Sequence, residues 1–234
     1  MKLFFLIEFL FNKGGASIFR KVLVLLSVAL ISMLFILPQN SPLRSVFRVS
    51  ETPMIITKGH YGHSYVLEIS FSHDNLFPWL EQLKAPLPLL LLDAKWIQRS
   101  SDEIEFIKEK QFPVGLLGQK QDDYESLLQL QEEINLFKET FGTKPLWFTT
   151  QDHSFTDEMK NYLFAEEINV LAPSIKWQPN STDFKLTKGM IVAIPFHEET
   201  KVDWESVNKF IHENKFLSME ENLFGYTVKT KSFP

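Results

Sequence analysis

The sequence predicts an α/β fold in which a parallel sheet closes, or nearly closes, into a (β/α) barrel, and three observations carry that prediction. Short apolar runs alternate with amphipathic helical patterns from Tyr65 almost to the end of the chain. One run, Leu87 to Leu92, is apolar without a break, as expected of a strand covered on both faces. Six or seven such β-α units in succession suffice to curl a sheet round on itself.

Taken in order, the first segment is of another kind. Residues 1–21 are basic, and residues 22–38 (VLVLLSVALISMLFILP) carry no charge. At about 1.5 Å per residue, the apolar part spans roughly 24 Å, near a bilayer core once flanking residues are added. Lys13, Arg20 and Lys21 precede it, so the positive-inside rule expects a single-pass signal anchor with a cytoplasmic N-terminus and an extracytoplasmic body. A cleaved signal peptide is the alternative, although PQNSPLRS offers no Ala-x-Ala-like site. Residues 39–60 read as a linker and 61–234 as the folded domain.

Within that domain, Tyr65 to Phe71 is the first strand and Leu76 to Lys84 a short helix. Leu87 to Leu92 is the second strand. Ser100 or Ser101 caps a helix to Lys110, with Glu103 placed for a capping box on Ser100. Phe112 to Leu117 is the third strand. Asp122 to Phe141 is the longest helix, with acids in its first turn and Gly142 as its stop. Strands follow at Leu146 to Phe148, Ile168 to Ala172 and Met190 to Phe196, with helices at Thr156 to Glu166 and Asp203 to Lys215. Phe216 to Met219 reads as a last strand.

Composition narrows the function. The chain has net charge −5 and its first 48 residues are strongly basic, so the body is acidic, which argues against nucleic acid as a partner. No cysteine is present, which removes disulfides, thiolate metal sites and a cysteine nucleophile. There is no P-loop, dinucleotide-binding glycine motif, Gly-x-Ser-x-Gly or His-Glu-x-x-His.

Four stretches, in order, together with the polar end of the first strand, resemble one known family. They are LLLLDAKWI (Leu89 to Ile97), IEFIKEKQFPVGLLG, LLQLQEEINLFKETFGTKPLWF and VNKFIHENKFLSMEENL. The chain is similar over about Ser64 to Phe224 to the NodB-type polysaccharide deacetylases (carbohydrate esterase family four), whose distorted (β/α) barrel carries a metal that deacetylates N-acetylated glycans. The resemblance implies that fold and a loss of its chemistry. Where the family has Thr-Phe-Asp-Asp-Gly, this chain has Ser70-Phe71-Ser72-His73-Asp74, putting Ser72 at the general-base position and His73 at a metal-ligand position. The family's His-x-x-x-His falls on Leu117 and Gln121, its arginine loop begins at Thr149, and its late histidine falls on Pro195, two residues before His197. A hydroxyl is a poor base at neutral pH, and leucine cannot ligate a metal.

Candidate residues follow from this. Catalytic positions would be Ser72, Thr149 and Pro195, with His197 as a substitute acid. Metal ligands would be His73, Gln121 and His153, and substrate would be held by Trp96, Trp177 and Asp152. His73, Asp74, Asp93, Asp152, His153 and His197 all follow strands and would converge at one end of a barrel; equally, polar residues collect wherever loops begin. No cofactor is expected unless a rearranged site holds zinc or another divalent ion. The functional expectation is a membrane-anchored homologue that has lost catalysis and binds a cell-wall glycan or an extracytoplasmic protein. The alternatives are an active deacetylase with a rearranged site and a scaffold in a membrane complex.

Overall fold

The computed structural model describes residues 50–179, 185–197 and 202–225. The expected membrane segment at 22–38 lies outside them, and among the described residues no helix is long and apolar enough to cross a membrane.

Eight parallel strands form one sheet: β1 (Ile55–Ile56), β2 (Ser64–Ile69), β3 (Leu89–Asp93), β4 (Val114–Gly118), β5 (Trp147–Thr150), β6 (Asn169–Leu171), β7 (Ile175–Lys176) and β8 (Ile191–Phe196). Their order is β1-β6-β5-β4-β3-β2-β8-β7, so the sheet is an open one with β1 and β7 as its ends. It nevertheless curls. Ile56 at one end and Ile191 near the other join Val66, Leu91, Leu117, Trp147 and Leu171 in one inner cluster. At the seam the chain steps from β6 to β7, and Ser174 bridges the gap through its Oγ, which donates to the Thr57 carbonyl at 2.5 Å.

Period-two alternation then decides which residues meet the helices. Leu67, Ile69, Leu90, Leu92, Leu116, Phe148, Val192, Ile194 and Phe196 face outward into the larger cluster. They pack there under α1 (Leu76–Gln82), α2 (Ala94–Arg99), α3 (Ser101–Glu109), α4 (Leu127–Phe141), α5 (Asp157–Ala165) and α6 (Trp204–Glu213). Gly115 faces inward, where an added Cβ would stand 2.8 Å from the Trp147 carbonyl oxygen and 2.9 Å from Leu91. The strands can therefore close tightly only without a side chain there.

Several boundaries differ from the sequence expectation. β1 lies inside the stretch read as linker. Ser100 ends α2, an unexpected helix, and its side chain makes no capping bond, so the capping box with Glu103 does not form. The acids Asp122 and Asp123 belong to a separate 3-10 turn, Gln121–Asp123, and α4 starts only at Leu127. The last expected strand, Phe216 to Met219, does not form: residues 216–218 have no regular structure and lead into α7 (Met219–Phe224), whose start Ser218 and Glu221 fix with a capping box.

α7 plugs the amino end of the barrel through Asn222, which has no exposure. Its Nδ2 donates to Ser64 Oγ at 3.0 Å and to the Met190 carbonyl at 3.3 Å, while Oδ1 accepts from the Gly62 N–H at 3.2 Å. Removing this side chain takes a partner from polar groups on two segments, one with Gly62 and Ser64 and the other with Met190. Asn222→Ala should therefore lower the free energy of unfolding by about 2–4 kcal/mol, measured by chemical denaturation with an unchanged m-value.

Candidate functional site

The alternation that points Val66 inward also points Glu68 inward, at zero exposure, near the carboxyl ends of the strands. A lone carboxylate would be very costly there, and two imidazoles answer it. His153 Nε2 lies 2.5 Å from Oε1 and His197 Nε2 lies 2.8 Å from Oε2. Because both contacts go to a carboxylate, the network assigns an Nε2 proton to each histidine. Burial by itself would push Glu68 up, but the hydrogen bonds and charges of His153 and His197 hold its carboxyl below the usual range.

Each histidine is delivered by a loop. β5 ends at Thr150, and the turn after it is fixed by Asp152, whose carboxylate accepts the N–H groups of Gln121 at 3.2 Å and Ser154 at 3.3 Å. His153 then adopts φ 58°, a left-handed conformation that is uncommon for a side chain other than Asn, Asp or Gly, and it is this turn that returns the ring to Glu68. His197 directly follows β8. With Ile69 opposite Phe196, the next inward residues are Ser70 and His197, and Ser70 Oγ stands 3.5 Å from His197 Nδ1.

The residues present do not fit a bound metal. Two donors on one zinc at about 2.0–2.1 Å in tetrahedral geometry stand roughly 3.3 Å apart, whereas the Glu68 contacts are hydrogen bonds of 2.5 and 2.8 Å. Both Nε2 atoms are thus committed to the carboxylate. Among the described residues, no three His, Asp or Glu side chains are grouped to hold an ion.

The other expected site residues are dispersed. Ser72 lies beyond the sheet and its Oγ accepts from Trp96 Nε1 at 2.8 Å. Trp96 itself has no exposed surface and stacks near Phe77, which corrects its assignment as a substrate-binding residue. Thr149 is fully buried inside the barrel. Pro195 is the strand partner of Glu68. Gln121 points along the 3-10 turn to Asp122 at 3.3 Å. His73 does not join His153: it packs on the outer side against Phe71 and Phe196. Its Nε2 is buried without a partner, and desolvation lowers its pKa.

Trp177 is almost buried, tilted against Phe210, and lines a cavity of about 230 Å³ with His73, Gln178, His197 and Asp203. Sequence reasoning missed Glu68 and Ser70. The signal was available in the inward alternation Val66, Glu68, Ser70, but Glu68 was absorbed into an apolar run.

A second buried carboxyl, Glu133 of α4, receives hydrogen bonds from Tyr124 Oη at 2.5 Å and Gln119 Nε2 at 3.2 Å. Burial, aided by nearby Asp93, pushes it up to about 7 despite those bonds.

No family model matches the chain, and no curated protein matches it. Solved structures do. A CE4 family pseudoenzyme from Bacillus anthracis is 15% identical with TM-score 0.60, the match covering 73% of this chain and 69% of that one. A family 4 carbohydrate esterase from the same organism is 12% identical with TM-score 0.59, covering 79% and 93%. The chitin deacetylase from the fungal pathogen Colletotrichum lindemuthianum is 11% identical with TM-score 0.57, covering 75% and 93%. These likenesses establish the NodB-type fold that the motif order implied.

The two buried carboxyls give opposite pH dependence. Glu133 keeps its proton to about pH 7 when folded but loses it near 4.5 when unfolded, so the folded state binds more protons between those values. Stability from this group should fall, by on the order of 2–3 kcal/mol, as pH rises across that window, and Glu133→Gln should flatten the slope in denaturation measured at several pH values. Glu68, held low, adds stability above the unfolded carboxylate range that is lost as acid protonates it.

Proposed function

We propose that this NodB-fold chain is a membrane-anchored extracytoplasmic protein that no longer runs metal-dependent deacetylation and binds a cell-wall glycan. The observation that carries the reading is the closed Glu68–His153–His197 cluster. The chelating side chains at the strand ends are engaged with one another, and the family's histidine pair is replaced by Leu117 and Gln121. The likeness to a CE4 pseudoenzyme and to working deacetylases of glycans supports a glycan as the ligand class.

The cavity beside Trp177 supports the binding half. At about 230 Å³ it is smaller than a drug-sized pocket and suits a single sugar ring, with an indole edge and the polar groups of His73, Gln178 and Asp203 around it. The apolar segment at 22–38, with its preceding basic residues, supports anchoring with the domain outside the cell.

Two measurements test this. After equilibration with zinc or cobalt and removal of free ion, the protein should retain no stoichiometric metal; about one tightly held ion per chain, lost in His153→Ala, would restore the deacetylase reading. Purified peptidoglycan should retain the protein in the presence of EDTA, and Trp177→Ala should weaken retention about tenfold, equivalent to about 1.4 kcal/mol. Retention that is unchanged in that variant would move the glycan elsewhere.

A further inference from the structure

The inward face of the strand ends holds one arrangement that metal loss does not account for. Ser70, His197 and Glu68 form a line in which Ser70 Oγ is 3.5 Å from His197 Nδ1 and His197 Nε2 is 2.8 Å from Glu68 Oε2. The buried carboxylate fixes the histidine tautomer, leaving Nδ1 as an acceptor facing a hydroxyl. His153 occupies the other carboxylate oxygen and so prevents Glu68 from rotating away. Arg99 Nη2 donates to the Ser70 carbonyl oxygen at 2.7 Å and so holds the backbone that carries the hydroxyl. Nucleophile, base and orienting carboxylate thus come from β2 and from the residues directly after β2 and β8.

We infer that Ser70 is a nucleophile for metal-independent hydrolysis of a small acyl ester, with His197 as base and Glu68 as its positioning residue. Ser70 Oγ attacks the acyl carbonyl carbon while His197 Nδ1 takes the hydroxyl proton. The C–O bond to the alcohol breaks, and the departing oxygen receives that proton. Water, deprotonated by the same nitrogen, then cleaves the acyl-serine, releasing the carboxylic acid and returning the proton to Ser70. The 3.5 Å separation is longer than a formed nucleophile–base bond, and such pairs close up when substrate binds. His197 lines the Trp177 cavity and Ser70 does not, so the substrate is specified as a small acyl ester that reaches the inward face of the strand ends. This goes beyond glycan binding and does not depend on a metal.

The full-length chain is treated with a fluorophosphonate, and p-nitrophenyl acetate hydrolysis is followed with and without EDTA. A phosphonyl adduct on the Ser70 peptide is expected. Hydrolysis should be insensitive to EDTA and fall at least a hundredfold in Ser70→Ala, whose folding is checked by its melting temperature. His197→Ala should slow labelling, and its pH–rate profile should lose the limb due to the imidazole. Absence of a Ser70 adduct, or equal hydrolysis by Ser70→Ala, overturns the assignment. Stoichiometric metal would sink the pseudoenzyme reading while leaving a Ser70 adduct untouched, so the two failures are distinguishable.

Discussion

A carboxylate with no access to water, set inside an apolar sheet, is the constraint on which the site depends. Glu68 cannot stay ionised there without donors, and the donors must come from outside its own strand. The sheet order places β8 beside β2, so His197 arrives by direct strand pairing. β5 is farther along the sheet, and its contribution needs both the curl that brings inner faces together and the unusual backbone of His153. Curl, turn and charge are thus one solution to a single desolvation problem.

The rest of the fold does not depend on how that problem is solved. The outer cluster, the helix layer and the plug at the amino end make no reference to a metal, and they hold the strands in the same relation whether the mouth carries chelating groups or a hydrogen-bonded cluster. The loops at the carboxyl ends are where change is least costly to the core, because their side chains add little to it. At the two positions where the resemblance would put ligating histidines, Leu117 fills the interior and Gln121 sits on a surface turn.

Much of this was legible in the sequence. Continuous apolar runs such as Leu89 to Leu92 announced buried parallel strands, and Gly142 ended α4 as its left-handed conformation requires. Local signals failed where two competed. Ser100 is the start of α3 as expected but also the end of α2, and its side chain makes no cap, while Ser218 with Glu221 carries a capping signature within and just beyond the expected strand. For the site, His153 and His197 could be flagged by position after a strand, but their common partner could not, since convergence depends on strand order. Matching the family motif by residue type placed the mouth of β2 at Ser72 and that of β8 at Pro195. The face alternation puts Ser70 and His197 there instead, a shift of two residues on each strand.

The plug helix has a consequence for how the chain reaches this state. Asn222 binds Ser64 across a sequence separation of 158 residues, and β2 lies between β3 and the much later β8. Contacts of such long range must wait for loop closure, so topology of this kind folds slowly. During vectorial synthesis, the early strands emerge with one edge of β2 unpaired and the barrel floor open; the edge is covered when β8 follows and the floor only with the last described helix. A chain truncated before α7 would keep β8 paired to β2 but present an unsealed apolar interior, a feature that recruits chaperones and seeds aggregation.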